Sequence, residues 1–152
     1  MWLRLSALVV CLHSFGCRPD PPDRSEPRPF QGRGFSATIR RDVRHSAETP
    51  TQGVTLYDFH VGSLPLLFLY TGDDAGYPHF SWAADREAEQ TLPSGLKAHC
   101  RFSEKSEGRA RECLITRSKT SPKQIMAFYE KLPANWADVA DEIIESIEAS
   151  EP

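Results

Sequence analysis

The sequence predicts an α+β domain: an antiparallel β-sheet of about five or six strands, covered on one face by a C-terminal amphipathic helix. Three observations predict this class. Segments that alternate apolar and polar residues recur along the chain, as is typical of half-buried strands. Cys100 and Cys113 flank a turn-like segment. The C-terminal segment repeats its apolar residues at helical spacing.

The strands are predicted from local patterns. FSATIR, from Phe35, and GVTLYDFHV both alternate, and each predicts a strand with one buried face. LPLLFLY is almost continuously apolar, which predicts a buried central strand. KQIMAFYEKL predicts one more strand. Between them, residues 40–52 are polar and end in a turn cluster, and SWAADREAEQ has weak helical or irregular character.

The two cysteines predict a disulfide-linked hairpin. If residues 105–108 form its loop, with Gly108 at a positive φ, two opposite-charge pairs and the cysteine pair fall into one register. The facing pairs are then Glu104 with Arg109, Arg101 with Glu112, and Cys100 with Cys113. Two unpaired buried cysteines are the alternative. A metal site is not predicted, because the chain has no second cysteine pair beside them.

The C-terminal helix is predicted over about residues 135–149. Asn135 is the expected N-cap, with Asp138 three residues later as in a capping box. Trp136, Val139 and Ile143 follow on one face, while the opposite face is acidic. This helix should pack its apolar stripe on the sheet.

The first residues have the pattern of a secretory signal peptide over residues 1–16. Arg4 precedes an apolar run, and the small residues Ser14 and Gly16 precede Cys17. The run is shorter than the roughly 20 apolar residues that a membrane-spanning helix needs. We therefore expect a removable signal.

The segment before the expected cleavage point resembles the lipobox of bacterial lipoproteins. Gly16 and Cys17 stand in the matching places, whereas Ser14 and Phe15 depart from the family pattern. The same residues suit the ordinary signal peptidase, which would cut the same bond. The resemblance implies lipidation of Cys17, and the alternative is cleavage without a lipid.

Cysteine parity agrees with lipidation, because a lipid on Cys17 leaves Cys100 and Cys113 as one pair. The resemblance further implies attachment to the membrane through that lipid. Arg18 is not the aspartate that retains lipoproteins in the inner membrane, so we expect the outer membrane, facing the periplasm. The alternative is a secreted soluble protein.

The remaining organisation follows from composition. Residues 17–34 are rich in proline and charge and predict a lipidated N-terminus and a solvated tether. Residues 35–152 are predicted to form a single globular domain, since hydrophobic residues make up 39% of the chain. The formal net charge of -3 argues against nucleic acid as a partner.

The order of strands followed by an acidic helix ending in EIIESIE resembles the PsbP/Mog1 type of α/β/α sandwich, over about residues 123–149. LLFLYTGDDAGYPHF is also similar to segments of small bacterial envelope lipoproteins. The first resemblance implies a binding or assembly role. Neither implies a catalytic residue, a ligand or a cofactor.

One loop contains the candidate site residues. Asp73, Asp74 and His79 lie close together, and carboxylate oxygens suit calcium or magnesium. We predict no metal, because the spacing lacks the alternating acids of a calcium loop. With Tyr77, the same segment is a candidate recognition loop, and a solvated turn is the alternative.

Charge is unevenly distributed. Residues 97–123 are basic overall, and residues 135–152 carry acids and no base. A basic hairpin that meets an acidic partner is one interpretation. The interpretation adopted here is that the two faces attract each other within the fold.

We therefore expect a non-catalytic envelope protein that binds another protein, as an assembly factor or an immunity protein. No histidine lies in a nucleophile motif such as G-x-S-x-G, so the sequence does not predict an enzyme. No cofactor is predicted. The alternatives are a small-ligand-binding periplasmic domain, with a pocket between sheet and helix, and an envelope hydrolase.

Overall fold

The structure is a computed structural model that describes residues 26–73, 83–117 and 121–150. Of these residues, 64% lie in strands and 11% are helical. The predicted α+β class with five or six strands is therefore wrong, because two antiparallel sheets and one short helix form an arrangement closer to a β-sandwich.

The elements follow one another in this order along the chain. They are β1 (Pro27–Gly32), β2 (Phe35–Arg40), β3 (Arg44–Thr51), β4 (Val54–Val61), β5 (Leu64–Gly72), β6 (Arg86–Thr91), β7 (Lys97–Lys105), β8 (Gly108–Thr116), β9 (Gln124–Leu132), α1 (Ala134–Glu145) and β10 (Glu148–Ala149). The small sheet has the order β1-β2-β10, and the large sheet the order β3-β4-β5-β9-β8-β7-β6.

The strands missing from the prediction are mostly edge strands. All eight residues of β3 are exposed, and every residue of β6 except Ala88 is polar or charged, so neither shows the apolar alternation of a buried face. β1 lies within the segment 17–34 predicted to be a tether. Its prolines are tolerated because β1 is the edge of the small sheet, and its Phe30 is buried in the core.

The core lies between the two sheets. We call the covered side of the large sheet its inner face. Tyr57 and Phe59 of β4 pack there against Phe30 and Phe35 of the small sheet, with ring centroids 5.1–5.6 Å apart between the layers. The strands predicted from FSATIR, GVTLYDFHV, LPLLFLY and KQIMAFYEKL are confirmed as β2, β4, β5 and β9.

The helix exists, but its ends differ from the prediction. α1 begins at Ala134 with Pro133 as N-cap and no capping side chain, so Asn135 is not the N-cap. Its predicted apolar stripe is buried. The helix ends at Glu145, and Ser146 is its C-cap. The Ser146 hydroxyl donates to the Ile143 carbonyl oxygen (2.8 Å) and accepts a hydrogen bond from the Thr38 N–H of β2 (2.8 Å). The chain then pairs with β2 as β10.

The hairpin register is confirmed. Cys100 and Cys113 are cross-strand partners joined by a disulfide, with their Cα atoms 4.2 Å apart. The two predicted charge pairs also face each other, and Gly108 has a φ of 129°. Local charge and turn patterns are thus sufficient to fix this part of the sheet.

In the part of the chain that the structure describes, no helix is long and apolar enough to cross a bilayer. The predicted signal peptide and Cys17 lie outside the described residues.

Candidate functional site

Most of the predicted recognition loop lies outside the described residues, namely Asp74, Tyr77 and His79. Asp73 is described, and its Oδ1 accepts a hydrogen bond from the Lys123 N–H at 3.0 Å. This contact ties the end of β5 to the segment before β9. Within residues 26–73, 83–117 and 121–150, no group of three His, Cys, Asp or Glu side chains is placed to hold a metal ion.

A different set of residues forms the candidate site. Four cross-strand partners on β6, β7, β8 and β9 form one row on the inner face: Arg86, Phe102, Arg111 and Tyr129. Cationic and aromatic side chains alternate along it, and we call it the Arg–aromatic row. Tyr129 and Arg111 are buried, Phe102 is half-buried, and Arg86 is exposed at the sheet edge. The row therefore leads from the core to solvent.

Arg111 is the buried cation of the row, with only 3% of the residue exposed. Its guanidinium donates to Asp141 Oδ1 (2.9 Å) and to Gln90 Oε1 (2.8 Å), and its Nε–H donates to Cys113 Sγ (3.2 Å). A second helix carboxylate, that of Glu145, lies 3.6 Å away. These partners offset the cost of burying the charge and leave Arg111 little capacity for a further ligand.

Tyr129 is tied to the same carboxylate. Its hydroxyl donates to Asp141 Oδ1 at 3.0 Å, so one oxygen receives hydrogen bonds from both Tyr129 and Arg111. Burial raises the pKa of Tyr129 above its ordinary value, and the neighbouring Asp141 charge raises it further. The phenol therefore stays a neutral hydrogen-bond donor at physiological pH.

Arg86 differs from Arg111 in its surroundings. Its guanidinium lies 4.5 Å from the centre of the Phe102 ring, and the Arg111 guanidinium lies 5.1 Å from the same centre. Among the described residues, no carboxylate forms an ion pair with Arg86. This guanidinium is thus positioned by an aromatic face while its donors remain open.

A cavity of about 450 Å³ follows the row. Phe102, Arg111 and Tyr129 line it from the sheet, and Asp141 and Glu145 line it from α1. Arg86 stands where the cavity meets the β6 edge. The space lies between sheet and helix, where a small-ligand-binding domain would need its pocket, but its walls are charged as well as apolar.

Asp85 forms the entrance beside Arg86. Its Oδ2 accepts hydrogen bonds from the Glu104 N–H (2.9 Å) and from the Ser103 hydroxyl (3.0 Å). These bonds, the backbone one first, hold the pKa of Asp85 below its ordinary value. The entrance therefore carries a fixed negative charge beside the open positive one.

The basic and acidic segments of the sequence form ion pairs with each other within the fold. Arg109 pairs with Asp138 at 2.7 Å, and Arg111 pairs with Asp141, so the basic strand β8 faces the acidic side of α1. Arg40 of β2 pairs with Glu142 on the same helix at 2.8 Å. The Arg109 and Arg111 pairs agree with the interpretation that the basic and acidic segments attract each other, whereas Arg40 lies outside the basic segment.

Sequence reasoning missed the Arg–aromatic row because its members come from four separate strands. One signal was present. The hairpin register that pairs Cys100 with Cys113 also places Phe102 opposite Arg111. Arg86 had no comparable signal, since β6 was not predicted as a strand.

Comparison of the sequence with protein-family models and with curated proteins found no match.

Proposed function

We propose that this protein is a non-catalytic binding module of the bacterial cell envelope, and that it recognises a carboxylate-bearing partner protein at the Arg–aromatic row. One observation carries the proposal: Arg86 is held over Phe102 at the mouth of a cavity without an acidic partner in the described chain. Arginine binds carboxylates through two parallel hydrogen bonds, and such anchors dominate many interfaces.

The division of roles within the row supports binding. Arg111 and Tyr129 are occupied by Asp141, so they hold the cavity in shape. The partner would therefore be recognised by the open guanidinium and the aromatic face beside it.

The proposed location rests on the sequence of the first residues and on the disulfide. The signal pattern and the lipobox resemblance favour a lipid on Cys17 and attachment to the outer membrane, facing the periplasm. The Cys100–Cys113 bond is of the kind that persists in oxidising compartments such as the periplasm. Under this proposal the domain acts as an assembly factor or an immunity protein held near the membrane.

The test is affinity capture from a bacterial envelope extract, read by mass spectrometry, with the lipidated protein and a Cys17→Ser form as baits. Each bait is made as wild type, as Arg86→Glu and as Arg44→Glu. Arg44 is the matched control, because it is also an exposed first residue of an edge strand, at the opposite edge of the same sheet. A partner retained by wild type and Arg44→Glu but lost from Arg86→Glu supports the proposal. A partner retained equally by all three contradicts it.

A second candidate, binding of a small anionic ligand, is favoured by the cavity volume. About 450 Å³ falls within the roughly 300–1,000 Å³ of small-molecule sites. Isothermal titration with a series of small carboxylates distinguishes the candidates. Tight, stoichiometric binding that Arg86→Glu abolishes would favour a small ligand, whereas weak binding of every free carboxylate would favour a protein partner.

A further inference from the structure

The large sheet ends in two edge strands that differ in how they are protected. At β3, Pro50 lies in the strand, and the register shifts between Glu48 and Thr51. Prolines and bulges of this kind prevent another strand from pairing with an edge. β6 has neither, and its six residues pair with β7 without interruption. Within the described residues, β6 is therefore the edge whose uninterrupted backbone can accept another strand.

The hydrogen-bond pattern identifies the open groups on β6. The Leu92 N–H donates to the Leu96 carbonyl at 2.9 Å, so the register makes Gln90, Ala88 and Arg86 the residues that bond to β7. In an antiparallel pair, the residues between the hydrogen-bonded ones direct their N–H and C=O groups away from the neighbouring strand. The N–H and C=O groups of Glu87, Glu89 and Thr91 thus face outward, with no backbone partner in the described chain.

The side chains of β6 point in two directions along this edge. Arg86 and Gln90 line the cavity of the Arg–aromatic row. Glu87 and Glu89 lie on the opposite face, where they pair with Arg101 and His99 yet keep side-chain exposures of 53% and 75%. An added strand would therefore meet two carboxylates on one face and an open guanidinium on the other.

We propose that β6 binds an extended peptide segment of the partner by strand addition, with two alternate basic side chains beside Glu87 and Glu89 and an acidic side chain at Arg86. This inference rests on the proposed function and names the form of the partner. In the antiparallel arrangement, the partner reads basic, any residue, basic, acidic along its own direction. Backbone bonds supply affinity, and the charges fix the register.

A second copy of this chain is a poor occupant. Antiparallel pairing of two β6 strands about Ala88 places Glu87 of one copy opposite Glu89 of the other. Like charges directly opposite each other destabilise a strand pair. The charge pattern therefore favours a different chain with basic residues.

The test uses the whole mature protein and the peptide acetyl-Ser-Thr-Lys-Thr-Lys-Glu-Thr-Ser-amide. Its control is the same peptide with N-methyl groups on both lysine amides, the two that would donate to the Glu87 and Glu89 carbonyls of β6. Side chains and charge are unchanged in the control. We expect the methylated peptide to bind at least about tenfold more weakly, because two backbone hydrogen bonds are lost. Equal affinity of the two peptides, or no binding of the unmodified one, overturns the inference.

Two variants test the same point from the protein. Glu89→Pro removes an outward N–H and leaves the bonds to β7, whereas Glu89→Gln removes only the charge. The proline variant should bind the unmodified peptide about as weakly as the wild-type protein binds the methylated one. The glutamine variant should lose less affinity for the unmodified peptide. A folded Glu89→Pro protein that binds as well as Glu89→Gln overturns the inference.

The two proposals fail differently. If methylation has no effect but Arg86→Glu still abolishes capture of the envelope partner, strand addition is wrong and the Arg86 site remains. If Arg86→Glu changes neither peptide binding nor capture, the proposed function itself is wrong.

Discussion

The two halves of the inner face of the large sheet are covered in different ways. Over β4, the small sheet supplies Phe30 and Phe35, and they pack on Tyr57 and Phe59 through ring contacts. Over β8, α1 supplies the carboxylates of Asp141 and Glu145, and Arg111 of the sheet pairs with both. We call these the aromatic half and the charged half.

The difference between the two halves indicates which part of the inner face can bind a partner. Apolar packing in the aromatic half leaves its rings buried and in contact. In the charged half, groups that must find polar partners line a cavity that reaches the sheet edge. The cavity and Arg86 lie in the charged half, so we place binding there and assign the aromatic half to stability.

The largest predicted effect is in the aromatic half. Phe59→Ala should lower the free energy of unfolding by about 3–5 kcal/mol, because the ring is fully buried and the site cannot collapse easily. Phe102→Ala, its counterpart in the charged half, should cost clearly less, since that ring is half-buried beside a cavity. Urea denaturation of both variants measures the difference. Equal losses would remove the distinction between the two halves.

Arg111→Ala is predicted to lower the free energy of unfolding, measured by urea denaturation, by about 3 kcal/mol. The reason is that it leaves Asp141 without its cationic partner. Asp141 is partly exposed, which places the effect at the lower end for a buried pair. Arg109→Ala is the matched control on the same strand, because the Arg109–Asp138 pair is more exposed and should contribute about 1 kcal/mol or less. Similar costs for the two variants would show that Arg111 is no structural anchor.

Reduction of the disulfide should lower the free energy of unfolding by about 2–3 kcal/mol, because the bond closes a short loop. Denaturation with and without dithiothreitol measures it. The Cys100→Ser, Cys113→Ser double variant should be as stable as the reduced protein and should not respond to the reductant. A persistent response in that variant would place the redox effect elsewhere.

The free energy of unfolding should fall at alkaline pH, through Tyr129 of the charged half. The folded state raises the pKa of Tyr129, so the unfolded chain loses the phenolic proton at a lower pH than the native protein does. The contribution is complete below the ordinary tyrosine value of about 10 and is lost as pH rises above it. Tyr129→Phe should remove this dependence in denaturation curves, and at neutral pH it should cost about 1 kcal/mol for the lost hydrogen bond. An unchanged alkaline slope in the variant would contradict the assignment.

The smallest predicted effect is a loss of stability at acidic pH, and it involves His45 in the aromatic half. The ring of His45 contacts Phe30 at 4.7 Å, and partial burial, followed by the charges of Arg28 and His60, lowers its pKa. The native state therefore favours neutral His45, and stability is lost as pH falls below the ordinary histidine value of about 6.5. The loss should be small because the residue is exposed. His45→Gln should flatten that part of the pH profile, and an identical profile would contradict it.

The sequence predicted the parts whose signals are local. The hairpin register followed from a glycine turn and facing charges, and β2, β4, β5 and β9 from their apolar patterns. The apolar face of α1 followed from helical spacing, but its N-terminus did not, since Pro133 stands where Asn135 was expected to cap. Local patterns thus placed most of the core strands and only part of the helix boundary.

What could not be predicted depends on tertiary context. β3 and β6 are exposed edges, so hydrophobic burial left no pattern in them. β10 consists of two residues that form a strand because they lie beside β2, to which Ser146 at the end of the helix is already bonded. The Arg–aromatic row needs the order of four strands, and that order is set by pairing of distant segments. Without β6, Arg86 could not be placed beside Phe102.

The most direct measurement follows the side-chain Nε–H resonances of arginine by NMR while N-acetylglutamate is added. We predict a saturable shift at Arg86, little change at Arg111, whose donors are occupied, and only a weak, linear drift at the control Arg44. A linear drift of the same size at Arg86 and Arg44 would show that the cavity mouth has no preference for carboxylates and would contradict a binding site there.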